Sequence, residues 1–237
     1  MKRAHSSPAD AAALQAALAT DAWFASCDPA LRQALLAHAD HCTLADGEAL
    51  FARGAAAEGL CCVTAGALRI GSLQADGGEV LLAYLEPFQW FGEISMLDGQ
   101  PRTHDAVAEG PTRLLLVPRE RLHAWLADHP VHWRDLARLA CAKLRTVFTV
   151  LEDIALLPLE QRLAKRLWLV AHGNGSRPGP PRRQIRLPQE QLALMMGVSR
   201  QSVNRALRAM ESQGLLALRY GCIELLDMAR LAAAAAR

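Results

Sequence analysis

The chain contains no uninterrupted apolar run of 18 residues, although 51% of its 237 residues are hydrophobic. A membrane-spanning helix needs about 20 predominantly apolar residues in succession, so the sequence predicts no membrane segment. The N-terminal residues MKRAHSSPAD lack the apolar core and small-residue cleavage site of a secretory signal. We therefore expect a cytoplasmic protein.

Patterns typical of catalytic and metal centres are also missing. We find no set of nucleophile, base and orienting group, and no Walker-type phosphate loop. The six cysteines form no C-x2-C pair, which in a cytoplasmic chain indicates reduced, mostly buried thiols. His129 and His132 are three residues apart near a helix start, without a clear third ligand. The sequence thus predicts neither an enzyme nor a metal site.

Net charge is small as well, because 26 Lys and Arg residues nearly balance 24 Asp and Glu residues to give +2. A nucleic-acid surface must therefore come from local clustering. Such a cluster lies between residues 182 and 219, where seven arginines occur with only two glutamates. This imbalance makes the C-terminal third the candidate region for contact with nucleic acid.

The segment at 189–210, QEQLALMMGVSRQSVNRALRAM, reads as two short helices joined by a tight turn at Gly197. Apolar residues recur at helical spacing in both helices: Leu192, Met195 and Met196 in the first, and Val198, Val203, Leu207 and Met210 in the second. Ser199 lies where a helix N-cap is expected. This pattern indicates a helix-turn-helix.

The opposite face of the second helix carries side chains that can contact base edges and phosphates in a major groove: Arg200, Gln201, Asn204, Arg205 and Arg208. The alternative is an ordinary helical hairpin with a solvated basic face.

A Gly/Pro-rich loop at 172–181 precedes the motif. Residues 214–226 read as two strands around a Tyr220–Gly221 turn, a wing with Arg219 at its tip.

Upstream, glycine and aspartate interrupt the chain about every 8–12 residues, as in antiparallel sandwiches and barrels. The predicted strands are 49–51, 60–64, 67–73, 79–85, 103–108 and 113–118. Residues 131–157 then form a long amphipathic helix. Its apolar stripe comprises Leu136, Ala140, Leu144, Val147, Leu151 and Ile154. This near-heptad spacing predicts a homodimer through the helix, and Pro158 predicts a hinge after it.

One further motif, WFGEISMLDGQPRTHDAV at 90–107, combines features of an anion site. A helical turn at Gly92–Met96 can direct free N–H groups at an anion. Arg102 is a bidentate phosphate donor, Thr103 adds a hydroxyl, and Glu93 can accept hydrogen bonds from a ribose. Alternatively, a Glu93–Arg102 salt bridge ties a loop.

FGEIS followed by PRT resembles the phosphate-binding cassette of cyclic-nucleotide-binding domains. The order of β domain, long helix, hinge and winged helix resembles the CRP/FNR family of bacterial transcription regulators from about residue 24 to 228. The resemblance implies an α+β fold with an N-terminal jelly-roll-like β-roll, a long dimerisation helix and a C-terminal winged helix-turn-helix. The corresponding segments are an N-terminal segment 1–23, an effector domain 24–130, a dimerisation helix 131–157 and a DNA-binding domain 158–237.

The implied function is effector-responsive binding of a homodimer to a palindromic promoter site, with RNA polymerase as a further partner and a cyclic nucleotide (cAMP, cGMP or a relative) as effector. The implied ligand-binding residues are Gly92, Glu93, Ile94, Ser95, Arg102, Thr103, Val147 and Phe148. The implied DNA-binding residues are Ser199, Arg200, Gln201, Asn204, Arg205, Arg208 and Arg219.

Two departures from the family pattern bear on the effector. His104 and Asp105 follow Thr103, where cAMP-binding members continue with small residues. Val147 and Phe148 stand where cAMP-responsive members have a Thr-Ser pair for the adenine, so Thr146 or Thr149 would have to hydrogen-bond the base instead. Three alternatives stay open: a regulator that needs no ligand, one that senses haem or redox state, and a nucleotide-binding regulatory module without a DNA role.

Overall fold

The computed structural model describes residues 2–4, 8–73, 79–173 and 181–236. The chain divides into two compact units. The first comprises Met1–Gly78 and Leu82–Leu144, and the second comprises Glu79–Leu81 and Arg145–Arg237. The division into four segments that the resemblance implies, with residues 131–157 as a separate dimerisation helix, stays a prediction.

Three short helices open the first unit: α1 (Pro8–Leu18), α2 (Ala22–Ser26) and α3 (Pro29–Ala37). Aspartates start the second and third of them, because the Asp21 and Asp28 carboxylates each accept a backbone N–H of the first turn at 2.8 Å. Phe24 of α2 stacks on Trp90 with ring centroids 5.6 Å apart, and Trp23 meets the same ring edge-on at 5.5 Å. These rings join the helices to the sheet.

A seven-stranded sheet forms most of this unit, in the order β1-β2-β7-β4-β5, with β3 on β7 and β6 on β4. The strands are β1 (Lys2–Ala4), β2 (Asp40–Leu44), β3 (Ala49–Phe51), β4 (Gly59–Leu73), β5 (Glu79–Leu85), β6 (Trp90–Phe91) and β7 (Asp105–Pro118). The β-roll predicted from the sequence is confirmed.

Two predicted strand breaks are wrong. Residues 60–64 and 67–73 belong to the single strand β4, and 103–108 and 113–118 to a single strand β7 that begins at Asp105. The glycines interpreted as ends lie inside the strands in the left-handed region, Gly66 at φ 76° and Gly110 at φ 72°. The pairing register shifts around Gly66, where a Cβ would lie 2.5 Å from the Pro111 carbonyl oxygen. Glycine here permits a bulge where two strands approach closely.

Helix α5 (Arg119–Asp128) lies in the first unit. After a short 3-10 turn at Pro130–His132, the long α6 (Trp133–Leu156) begins in the first unit, and its residues from Arg145 on belong to the second. The predicted helix is confirmed. The apolar stripe predicted to face a second chain is shorter than expected. Leu136 is fully buried in the core of its own unit together with Leu139, so it cannot face a second chain. Farther along, Leu144, Val147, Leu151 and Ile154 are 51–56% exposed.

The second unit contains α7 (Leu159–Ala171), β8 (Gln184–Ile185), α8 (Gln189–Met196), α9 (Arg200–Ser212), β9 (Leu216–Arg219), β10 (Cys222–Leu225) and α10 (Met228–Ala236). A three-stranded sheet runs in the order β8-β10-β9. The predicted loop at 172–181 falls mostly outside the described residues. Across the described helices, none has the length and hydropathy to cross a membrane.

Candidate functional site

The cassette is built around a glycine that lets an arginine approach the backbone. Helix α4 (Glu93–Asp98) begins after Gly92, whose φ of 95° is left-handed. A Cβ at Gly92 would lie 2.7 Å from Arg102 Nη1 and 2.9 Å from the Gly59 carbonyl oxygen. Glycine is therefore required twice, for its backbone conformation and for the space that the guanidinium occupies.

Arg102 is 4% exposed and held from three sides. Its Nη2 donates to the Gly59 carbonyl at 2.7 Å and its Nη1 to the Gly92 carbonyl at 3.3 Å. The guanidinium lies 4.3 Å above the Phe51 ring. Its Nε is buried without a hydrogen-bond partner. A buried cation with an unused donor is the arrangement expected of an anion site.

The predicted Glu93–Arg102 bridge is wrong. Glu93, 2% exposed, instead accepts a hydrogen bond from Lys143 Nζ of α6 at 2.6 Å. Arg102 turns to backbone carbonyls because Gly59 and Gly92 flank it. Lys143 was not predicted, since a lysine on an amphipathic helix reads as a solvated residue and its partner lies 50 positions away. The 3.6-residue period alone carries no signal for such a pair.

The remaining cassette residues differ in their surroundings. The Ser95 hydroxyl donates to the Pro101 carbonyl at 3.4 Å, whereas Ile94 is exposed. Thr103 is exposed, and its hydroxyl lies 2.9 Å from His104 Nδ1. Their roles toward a ligand stay predictions.

His104 and Asp105, which depart from the family pattern after Thr103, interact with neighbouring residues of the first unit. The Asp105 carboxylate accepts the Arg53 backbone N–H at 2.8 Å. Partial burial, reinforced by Arg53, lowers the pKa of His104, and Asp105 acts in the opposite direction. The shift favours the neutral form of the imidazole. Because the Asp105 carboxylate accepts a backbone hydrogen bond, its negative charge is partly compensated, which weakens its repulsion of a bound anion.

Val147 and Phe148, predicted to contact a base, lie on the C-terminal part of α6 within the second unit and are more than half exposed. Valine and phenylalanine carry no side-chain hydrogen-bonding group. Their role at a base stays a prediction.

The helix-turn-helix has the local geometry that the sequence indicates. Gly197 ends α8 at φ 65°, and Ser199 caps α9 by accepting the Ser202 N–H at 3.2 Å. The apolar face of α9 is buried, and four of the five polar residues predicted for its opposite face are exposed: Arg200, Gln201, Arg205 and Arg208. These exposed side chains form a basic face on α9 that can enter a major groove.

Three of the predicted DNA contacts, Asn204, Arg208 and Arg219, have partners within the unit. Asn204 Nδ2 donates to Gln189 Oε1 at 2.9 Å and so ties the two helices together. Arg208 lies 3.8 Å from Glu211, and Arg219 Nε donates to Glu224 at 3.2 Å. The two arginine pairs are exposed, so solvent weakens them and phosphates can compete for the arginines. The Tyr220 side chain at the wing turn is fully exposed.

Other chemistry-bearing residues have structural surroundings. The described residues include no group of three or more His, Cys, Asp or Glu side chains arranged for a metal ion. His129 stacks on Trp125 at 4.2 Å, and His132 Nδ1 lies 3.1 Å from the Asp135 carboxylate. Burial raises the pKa of both the Cys27 and the Cys61 thiol to about 12. These thiols are therefore protonated and unreactive at neutral pH.

Comparison with known proteins identifies the domain that contains each of these residue sets. Residues 41–129 match the family model of the cyclic nucleotide-binding domain, and residues 161–234 match that of the Crp-like helix-turn-helix domain. The chain is similar to the CRP-like cAMP-activated global transcriptional regulator of Mycobacterium tuberculosis, at 33% identity over 187 residues, or 78% of this chain and 84% of the relative.

The cyclic AMP receptor protein of Thermus thermophilus is also 33% identical, over 186 residues covering 78% of this chain and 83% of that protein. A solved transcriptional regulator of the CRP family from the same organism has a TM-score of 0.61 at 26% identity, covering 83% of this chain and 97% of the other. Matched in both domains and along most of its length, the chain belongs to the CRP/FNR family of transcriptional regulators.

Proposed function

We propose that this regulator binds a palindromic promoter site as a homodimer and responds to a cyclic-nucleotide-like anion in the α4 cassette. The observation that carries the effector proposal is Arg102, which is buried, fixed by two carbonyls and left with an unpartnered Nε. A buried guanidinium costs free energy unless an anion compensates it. A cyclic phosphate supplies that charge and accepts from the free N–H.

Glu93 extends this site to a sugar. Its carboxylate is an acceptor, so a ribose hydroxyl donating to it would share or replace the hydrogen bond from Lys143. Because Lys143 belongs to α6, effector binding at Glu93 changes the forces on that helix. This exchange of donors is the route by which we expect the effector to influence the regulator.

The effector's class is supported by the relatives, two of which are described as cAMP-activated or as a cyclic AMP receptor. We propose weaker adenine selectivity here. Val147 and Phe148 have no side-chain group that could hydrogen-bond a base, and a site without hydrogen bonds to a polar edge discriminates poorly between analogues.

For DNA, we propose that the exposed side chains Leu144, Val147, Leu151 and Ile154 of α6 pair with the same residues of a second chain. Such a two-fold pair would present two α9 helices about 34 Å apart to successive major grooves. RNA polymerase is the further partner that we propose for promoter-bound protein.

Calorimetry with cAMP and cGMP tests the effector, with Arg102→Leu as the diagnostic variant and Arg113→Leu, an exposed arginine of β7, as the matched control. Losing a charge-assisted hydrogen bond should weaken binding about 10- to 100-fold in the first variant only. Binding that is unaffected by Arg102→Leu would show that the cassette is not the site.

One observation favours a second candidate. Lys143 already satisfies Glu93, and two carbonyls already engage Arg102, so apart from the Arg102 Nε the pocket is internally paired without an effector. A regulator that needs no effector would bind neither nucleotide and would still shift promoter fragments in a gel. A nucleotide-binding module without a DNA role would do the reverse.

A further inference from the structure

A charged bridge spans the elbow between α6 and α7 inside the second unit. Helix α6 ends at Leu156 and α7 begins at Leu159, with Pro158 between them. Asp153, one turn before the end of α6, is only 9% exposed. Lys165 Nζ of α7 donates to its carboxylate at 2.6 Å. The two helices are thus joined at a point away from the backbone connection.

A second cation depends on the same carboxylate. Arg166, next to Lys165 on α7, is 8% exposed. Its guanidinium makes no hydrogen bond or ion pair with another residue of the described ranges. Burial lowers the pKa of Arg166, and the nearby Asp153 is the charge that opposes this effect. The buried Arg166 and Lys165, whose side chain is 28% exposed, therefore have one buried carboxylate as their nearby counter-charge, an arrangement that is costly unless the carboxylate keeps its position.

A third cation carries the connection to the helix-turn-helix. Arg162, one turn before Arg166, donates from Nη1 to the Met196 carbonyl at 3.5 Å. Met196 is the last residue of α8 and directly precedes the Gly197 turn. The three cations and Asp153 line one cleft, whose apolar lining residues are Val150, Ile154, Leu169, Met195 and Met196. Polar contacts therefore run from the end of α6, across α7, to the turn before α9.

The backbone of the elbow supplies little of this connection. Pro158 has no N–H to continue the hydrogen-bond ladder of α6 into α7. Helix α7 packs on α8, α9 and α10, so its orientation sets that of the helix-turn-helix. What fixes α7 relative to α6 must therefore come mainly from side chains.

We propose that Asp153 is a positioning residue: through Lys165 and Arg166 it sets the angle between α6 and α7, and thereby the direction in which α9 is presented. This role is independent of which effector binds. It adds to the proposed function the residues Asp153, Lys165 and Arg166, on which DNA affinity depends although they do not contact DNA. Removing the carboxylate leaves the buried Arg166 and the partly exposed Lys165 without their counter-charge, and the range of elbow angles should widen.

The test is a distance measurement between nitroxides at Thr149→Cys on α6 and Ser212→Cys on α9. Cys141 and Cys222 are replaced by serine, because among the described residues they are the cysteines that are not buried and could take up the label. Labelled chains are diluted with unlabelled protein so that each assembly carries one labelled chain. Neither DNA nor effector is added, so this readout can fail or succeed independently of the proposed function.

In the parent we expect one narrow distance distribution. Asp153→Asn and Lys165→Met should each broaden or shift it, their combination should add little, and Lys165→Arg should retain the parent distribution. Glu152→Gln, an exposed neighbour on the same helix, is the matched control and should have no effect. Should Asp153→Asn fail to fold, the Lys165 pair of variants carries the test. A parent-like distribution in Lys165→Met or in a folded Asp153→Asn would overturn the proposal.

Discussion

Lys143 of α6 and Glu93 of α4 form an ion pair with 2.6 Å between Nζ and Oε2, in which the carboxylate is 2% and the lysine 38% exposed. The pair joins the cassette to the long helix within the first unit. Because the two partners differ in burial, removing each should have different consequences.

Lys143→Met should destabilise the first unit by about 1–3 kcal/mol, the usual cost of leaving a buried polar group unsatisfied. Glu93→Gln should cost less, because Lys143 can turn to water. The double variant should recover part of the loss of Lys143→Met. Urea unfolding of all four proteins measures the coupling, and strictly additive effects would show that the pair contributes nothing.

A methyl group at residue 92 should disrupt the cassette. Gly92→Ala must accept a left-handed φ, at about 1–2 kcal/mol, and must also displace the Arg102 guanidinium from 2.7 Å. Gly47→Ala is the matched control, since its φ is 72° and nothing lies within 4 Å of the added carbon. We expect a larger loss of stability for Gly92→Ala, together with lost nucleotide binding, and equal losses in both would contradict this role for Arg102.

The two halves of the α6 stripe should respond differently to substitution. Leu144→Glu with Leu151→Glu should yield folded monomers in sedimentation, because charges would face each other across the seam. Val131→Glu, at an exposed position before α6, should leave the assembly intact. Leu136→Ala should instead cost about 2–5 kcal/mol of stability, as for other core leucines, without changing the assembly. A parent protein that is monomeric at micromolar concentration would refute the dimer.

Gln201 should determine one base pair of the half-site. Related regulators often carry Glu at the matching position, which accepts from cytosine N4, whereas Gln can pair with adenine N6 and N7. Selection from random DNA should therefore return a palindrome that differs from TGTGA at the pair that this residue faces. Gln201→Glu should restore the cytosine-containing pair, each contact being worth about 1–3 kcal/mol. An unchanged TGTGA-N6-TCACA consensus for the parent would exclude this assignment.

Alkaline pH should destabilise the first unit through its buried thiols. Burial raises the pKa of Cys61 from 9.0 to about 12 and that of Cys62 well above 9.0. The folded state thus keeps protons that the unfolded state loses, so stability should fall as pH rises from about 9 towards 12, by up to roughly 1.4 kcal/mol per pH unit and thiol. Urea unfolding at pH 8, 9 and 10 should show this slope, and Cys61→Ala with Cys62→Ala should reduce it, leaving the contribution of Cys27.

The features that the sequence predicted well are those whose signals are local. The α8–α9 turn follows from Gly197, the cap from Ser199 and the buried face from apolar spacing, all within 22 residues. Features that depend on pairing between residues far apart in the sequence were not predicted. Gly66 reads as a loop residue because a bulge is evident only once β4 is seen opposite β7.

Side-chain partners were least predictable. Asn204 has the chemistry of a base reader, yet its amide is engaged by Gln189, 15 residues earlier. Leu136 shares the period of Leu144 and Leu151, but the first turns of α6 pack on the core of their own unit and only the later turns emerge from it. Periodicity identifies an apolar face without specifying which surface covers each turn.

Trp90 gives the cassette an intrinsic optical signal. Its indole is 2% exposed, stacks on Phe24 and lies two residues before Gly92, at the entry to α4. A buried indole emits at shorter wavelength than a solvated one, and neighbouring groups quench it according to their distance. Movement of the cassette should therefore change the Trp90 contribution to the emission of the five tryptophans without any added label. Because the N-terminal helices supply the stacking rings, the same contribution should report whether those helices remain packed on the sheet.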